Sequence, residues 1–241
     1  MPQTAHESPW LAQGEDKREA VREMFADIAP SYDVLNSLMS FRLHKRWRSL
    51  GVKSLNLKSG DDVLDVCCGT GDFLLPLRKA VGPEGTVTGL DFCQPMLDIA
   101  KTKVHGEAEL HLGDACSLPF EDSKYDAVTV GWGLRNVPDI QAALREAFRV
   151  LKAGGRFISL DMAKPKSGFV GGIAAFSFKK IVPALGSIFG KTKAYKYLPE
   201  STERFLSREQ MDEALKTAGF SEVWHRDFFF GNICLHYGRK A

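Results

Sequence analysis

A chain of 241 residues with 44% apolar side chains can bury a full core and still fold as one α/β domain. Its 32 basic and 30 acidic residues leave a formal net charge of +2, so overall charge gives no reason to expect nucleic acid as a partner. It holds no run of about 18 apolar residues and its polar start lacks a signal-peptide core, while five cysteines without zinc-type pairing read as reduced thiols; a cytoplasmic protein is expected.

A tail over residues 1–16 precedes "EDKREAVREMFADIA", which predicts an amphipathic helix with Ala20, Met24 and Ile28 at four-residue spacing, ended by Pro30. A second helix is expected from about Phe41, where "FRLHKRWRSLGVKSL" puts His44, Trp47 and Arg48 on adjoining parts of one face. From Asp61 the pattern changes to short apolar strands, "DVLDVC", "GTVTGLD", "AELHLGD", "YDAVTVG" and "GRFISLD", most of them separated by helical segments. The segment "DIQAALREAFRVLKAGG" reads as a helix from an Asp139 N-cap to Gly154-Gly155, and "SREQMDEALKTAGF" as one opening on a Ser207–Gln210 capping box and stopping at Gly219. Two further strands, in "SEVWHRDFF" and "NICLHYGRK", complete the expected fold: an α/β, doubly wound, mostly parallel sheet of about seven strands with helices on both faces. Residues 17–241 form a single domain in this reading, with N-terminal helices over 17–56.

One stretch differs in composition. No acidic residue lies between Asp161 and Glu200, while Lys164, Lys166, Lys179, Lys180, Lys191, Lys193 and Lys196 flank apolar and aromatic segments. Residues 164–200 therefore read either as a helical insertion with lysines on its wet face or as a lid that meets a membrane and a greasy substrate.

The stretch "VLDVCCGTGDF" looks like a strand that turns sharply beneath a nucleotide. Gly69 and Gly71 let the backbone approach a ligand, and the amides of the following helix can donate to it. Leu74 stands where a dinucleotide fingerprint needs a third glycine, which disfavours a nicotinamide enzyme. Asp91, closing the second strand, suits ribose hydroxyls or an N-cap for the helix starting near Gln94, and Asp114 with the Ala115 amide suits an adenine edge. All three features fall at carboxyl ends of strands, where open sheets bind ligands.

These segments, together with "FADIAPSYDVLNSLMSFRLHKRWR", "GLRNVPD" and "REAFRVLKAGG", resemble the ubiquinone/menaquinone biosynthesis C-methyltransferase family of class I S-adenosylmethionine-dependent methyltransferases, from about Phe25 to the C-terminus. The resemblance implies a Rossmann-like fold and S-adenosylmethionine as co-substrate, bound around Gly69, Thr70, Gly71, Asp91, Phe92, Asp114 and Ala115. Three positions depart from the family pattern: Gly131 replaces a frequent serine, Cys67 a glycine and Ala153 a proline. Cys67 and Cys68 read as small buried fillers.

The implied reaction is methylation of a ring carbon on a polyprenylated quinol, with no metal required. The pattern leans to demethylmenaquinol; a ubiquinone-pathway benzoquinol, and O- or N-methylation of a small molecule, stay open. Ring carbon becomes a good nucleophile once an adjacent hydroxyl ionises, and a phenol has a reference pKa of about 10. Arg135 is the first candidate to favour the phenolate, unless a salt bridge to a nearby acid occupies it. His44 can take a proton or simply pack beside Trp47, Tyr32 and Asn136 can orient the quinol oxygens, and Asp33 and Asn36 can cap a following helix. A membrane-resident substrate and no spanning helix imply a peripheral site at the inner membrane face; a homo-oligomer is compatible with the sequence.

Overall fold

The structure, a computed structural model, describes residues 14–164 and 192–241. Three helices come first: α1 (Gly14–Ile28), α2 (Tyr32–Met39) and α3 (Leu43–Ser54), with a 3₁₀ turn at Ala29–Ser31 holding Pro30 where the first helix ends. The alternating body follows as β1 (Asp62–Val66), α4 (Leu74–Val81), β2 (Thr86–Asp91), α5 (Gln94–Val104), β3 (Glu109–Leu112), β4 (Tyr125–Gly131), α6 (Ile140–Val150) and β5 (Leu151–Met162). After residues 165–191, α7 (Thr192–Arg204), α8 (Arg208–Thr217), β6 (Ser221–Phe228) and β7 (Ile233–Arg239) close the chain.

The seven strands form one sheet in the order β3-β2-β1-β4-β5-β7-β6, parallel except for β7, which runs antiparallel to both neighbours. Val63 and Leu64 on β1 point to opposite faces and both are fully buried, as expected of a strand covered by helices on each side. One face packs Leu64, Tyr125 and Phe157 with Leu144, Met211 and Phe220; the other packs Val63, Val87 and Ile158 with Trp47, Leu77 and Leu235. Strand order reverses between β1 and β4, which opens a crevice at their carboxyl ends.

Three local expectations need correction. Helix α1 begins at Gly14, inside the expected tail. The stretch before Phe41 contains a whole helix, α2, where only capping residues were expected. Helix α6 starts at its Asp139 cap, whose side chain accepts the Ala142 N–H, but it stops at Val150 instead of the glycine pair. Leu151 is already extended and fully buried as the first residue of β5, and Lys152 leaves the helix to pair with Asp62 and Asp126. Gly154, at φ +76, shapes a bulge in β5, not a helix cap. The Ser207–Gln210 capping box is present. The lysines and aromatics expected to form a lid lie, from residue 165 to residue 191, outside the described residues.

Candidate active site

An open cavity of about 640 Å³ sits at the carboxyl ends of β1, β2 and β4. Gly69 faces it: its φ is +54, and nothing lies within 4 Å of where a Cβ would stand. Cys67 also lines it with φ +57, the backbone conformation that explains why glycine suits this position in other methyltransferases. Burial pushes the Cys67 and Cys68 thiols well above their ordinary range, so both stay protonated and unreactive.

Asp91, Phe92, Asp114 and Ala115 border the same space. The Asp91 carboxylate accepts the Gly69 N–H at 2.8 Å and the Cys93 N–H at 2.9 Å, tying the glycine turn to the loop after β2; burial pushes its pKa up to about 6. Cys93, not Asp91, occupies the N-cap position of α5. Asp114 accepts the Cys116 N–H at 2.8 Å and is held by Arg18 of α1 at 3.0 Å, a contact with no signal in the sequence.

Thr70 and Gly71 are not brought to the cavity. The Thr70 hydroxyl donates to Asp33 on α2 at 2.6 Å and receives Lys103 of α5 at 3.2 Å. A Cβ on Gly71 would stand 3.3 Å from that of Ala100, so this glycine lets α5 pack closely. Asp33, expected as a possible cap, works in this clasp.

A second cavity of about 1000 Å³ adjoins the first, and Phe25, Tyr32 and Trp132 line both. Its wall is mostly apolar, with Met24, Ile28, Trp47, Met162 and Phe229, and its polar groups include His44, Arg48 and Arg135. The salt bridge open to Arg135 is made: its Nη1 donates to the buried Asp161 carboxylate and, at 3.0 Å, to the Trp132 carbonyl. Burial holds Asp161 above the usual carboxylate range although Arg135 pulls the other way. Asn136 lines the first cavity, donates to the same Trp132 carbonyl at 2.9 Å and accepts from the Tyr197 hydroxyl at 2.8 Å.

The tautomer of His44 follows from its neighbours. The Ser40 hydroxyl spends its one proton on the Asn36 carbonyl at 2.6 Å, so at 2.5 Å it must accept from His44 Nδ1–H, leaving Nε2 unprotonated. Burial and then the Arg48 charge push this imidazole down to about 4. Tyr32 is half-buried, and its surroundings desolvate the phenol and raise its pKa above the ordinary value.

Gly131 has a structural reason too. A Cβ there would stand 2.7 Å from the Phe73 ring, so the aromatic residue of "GTGDF" fills the place a serine would take. Asp72 of the same motif gathers Lys103 at 2.8 Å and Arg48 at 3.4 Å. Among the described residues one trio of potential metal ligands, Asp212, His225 and His236, lies outside both cavities, with His225 and Asp212 already hydrogen-bonded at 2.7 Å.

The donor set of the smaller cavity fits S-adenosylmethionine: a glycine cradle that a Cβ would fill, a carboxylate at the second strand end and another, Asp114, beside Ala115 after the third. Known proteins agree. The sequence signature of the ubiE/COQ5 methyltransferase family matches residues 12–240. A demethylmenaquinone methyltransferase of Staphylococcus saprophyticus is 42% identical over 233 residues, covering 95% of this chain and 100% of that protein. Its Staphylococcus haemolyticus counterpart is 41% identical over 95% of this chain and 98% of its own. Among solved structures, S-adenosylmethionine-dependent methyltransferases from Thermotoga maritima (21% identity, TM-score 0.66, 92% of this chain and 100% of that one) and Aquifex aeolicus (22%, 0.62, 87% and 98%) share the fold. With its strand-end site and a family match over nearly its whole length, this chain belongs to the ubiE/COQ5 methyltransferase family and is an S-adenosylmethionine-dependent methyltransferase.

Proposed function

We propose that this enzyme methylates a ring carbon of demethylmenaquinol, a polyprenylated naphthoquinol. The observation that carries the reading is the pair of adjoining cavities: a smaller one bordered by Asp91 and Asp114 and suited to the co-substrate, and a larger, aromatic-lined one with guanidiniums in its wall, which shares Phe25, Tyr32 and Trp132 with it. The relatives' printed activity supports the same acceptor.

Asp91, Asp114, Phe92 and the Gly69 turn would hold S-adenosylmethionine, which when bound supplies an electrophilic methyl group whose bonding pair stays with sulfur. The chain's own work is on the acceptor. Arg135, although its Nη1 is held by Asp161, keeps an Nε without a protein partner and with it favours the ionised quinol hydroxyl, while Asn136, fixed by Trp132 and Tyr197, borders the adjoining co-substrate cavity. The ring carbon beside the ionised oxygen gives an electron pair to the new carbon–carbon bond and then loses its proton, restoring aromaticity; one proton is released per methyl gained. His44 Nε2, unprotonated at neutral pH, can pass that proton to water. Apolar walls position the ring, and positioning supplies much of the rate in such transfers.

The test is turnover with a short-prenyl demethylmenaquinol kept reduced, with product identified by mass spectrometry and the methyl located by fragmentation. A ring-methylated product supports the reading. Methylation on oxygen, or preference for a methoxybenzoquinol over the naphthoquinol, overturns it.

A further inference from the structure

Two guanidiniums border the larger cavity, and they are held differently. Arg135 is committed through Nη1 to Asp161 and to the Trp132 carbonyl. Arg48, on α3 with 7% of its side chain exposed, makes no hydrogen bond from Nε or Nη1. Its guanidinium sits over the Trp132 ring, 4.5 Å from the centroid, with Phe73 at 5.5 Å on another side. Asp72 approaches Nη1 only to 3.4 Å, without hydrogen-bond geometry, and that carboxylate is also engaged by Lys103 at 2.8 Å.

A buried guanidinium with unmet donors is costly unless something supplies acceptors. The stacking contact holds the plane of the group while no hydrogen bond holds its fork, so the fork can turn toward an oxygen in the cavity. We propose that Arg48 is a further catalytic residue, donating from its guanidinium to the acceptor hydroxyl as that hydroxyl ionises. This rests on the phenolate reading above and adds a second cation to it.

Tyr32 offers an internal comparison, because it places a phenol in the wall of this same cavity. Burial raises its pKa first, a hydrogen bond with Asn36 opposes that, and then the Arg48 charge, ahead of Arg135, pulls in the phenolate direction. The titratable and charged groups around Arg48 are Asp72 from the glycine turn, with Lys103 from α5 and Asp33 from α2 behind it, Asp65 from β1, whose carboxyl burial pushes up to about 7, and Arg135 from the loop after β4; His44, one turn earlier on α3, is neutral.

The experiment compares the parent with Arg48→Met and Arg48→Lys in two measurements. The first is an absorbance titration of bound 4-methoxy-1-naphthol, a redox-stable phenol, with S-adenosylhomocysteine present. The parent should lower the bound phenol's pKa by about one unit or more, Arg48→Met should lose most of that shift, and Arg48→Lys should keep part of it. The second is single-turnover methyl transfer, where Arg48→Met should be slower by about tenfold to a hundredfold near neutral pH, with the deficit closing in alkali as the quinol ionises unaided. An Arg48→Met protein that binds S-adenosylmethionine normally and keeps both the parent rate and the parent phenol pKa overturns the proposal. If Arg48→Met does not fold, Arg48→Lys decides: a rate deficit that closes with pH supports the role, and an equal loss at every pH overturns it. If the parent itself fails to methylate demethylmenaquinol, the functional reading falls, while the naphthol titration still judges Arg48.

Discussion

At the scale of single residues, Asp65 shows how the sheet's centre bears on pH. Its carboxyl is 1% exposed at the end of β1, accepts one hydrogen bond from Thr129 at 2.6 Å, and is pushed up to about 7, chiefly by burial. A carboxyl whose folded pKa lies above its unfolded value adds stability only while protonated. Its contribution is complete below the unfolded pKa and is lost as pH rises through the folded one. Asp65→Asn keeps an acceptor for Thr129 and removes the charge. The variant is expected to exceed the parent by about 2–4 kcal/mol at about pH 8, the gap shrinking toward zero at about pH 4. Urea unfolding across that range checks it, and a gap independent of pH would show that the carboxyl does not titrate between those values. The buried histidines shift stability the other way, since His44 and His236 are both pushed down to about 4, but they are common to both proteins and cancel in the difference.

At the scale of elements, the N-terminal helices are fastened to the sheet by polar contacts as much as by packing. Lys103 of α5 reaches Asp33 of α2 at 2.6 Å and Asp72 of the glycine turn at 2.8 Å, while Thr70 adds its hydroxyl to Asp33. This clasp sets how Tyr32, the first residue of α2, stands between the two cavities. Lys103→Met should cost little global stability, about 1 kcal/mol, because these ion pairs are partly exposed. Amide exchange along α2 should nevertheless speed up, and the acceptor KM should rise with the S-adenosylmethionine Kd unchanged. Unaltered exchange in α2 would mean that packing of Leu35 and its neighbours alone holds the helix.

At the scale of the whole molecule, a greasy substrate must reach a protein in which, among the described residues, no helix is long and apolar enough to cross a membrane. The seven lysines between Lys164 and Lys196, with no acid among them, are proposed to draw the enzyme to anionic headgroups, at about 1 kcal/mol for each lysine near the surface. Sedimentation should show stronger binding to anionic than to neutral vesicles, weakened by salt and by Lys179→Gln with Lys180→Gln. Binding indifferent to lipid charge, salt and these substitutions would remove the membrane from the proposal.

The sequence by itself determined the strand and helix alternation, the glycine turn, the carboxylates at the ends of β2 and β3, and the Asp139 and Ser207 caps. Each is written in periodicity or turn chemistry within a few neighbouring residues, so no distant partner is needed to read it. Only the tertiary structure decided which members of those motifs face a ligand: Gly69 opens on the cavity while Gly71 packs on α5, and Asp91 braces the turn. It also formed α2 from a short segment rich in turn-forming residues, ended α6 early by pairing Leu151 with Tyr125, and spent Arg135 on Asp161 while leaving Arg48 without hydrogen bonds from Nε and Nη1. Tyr197 meets Asn136 across 61 positions of chain, and nothing near either residue announces it. Which donor is used and which is left free depends on side chains that meet only after the sheet has brought them together, and that choice is not encoded locally.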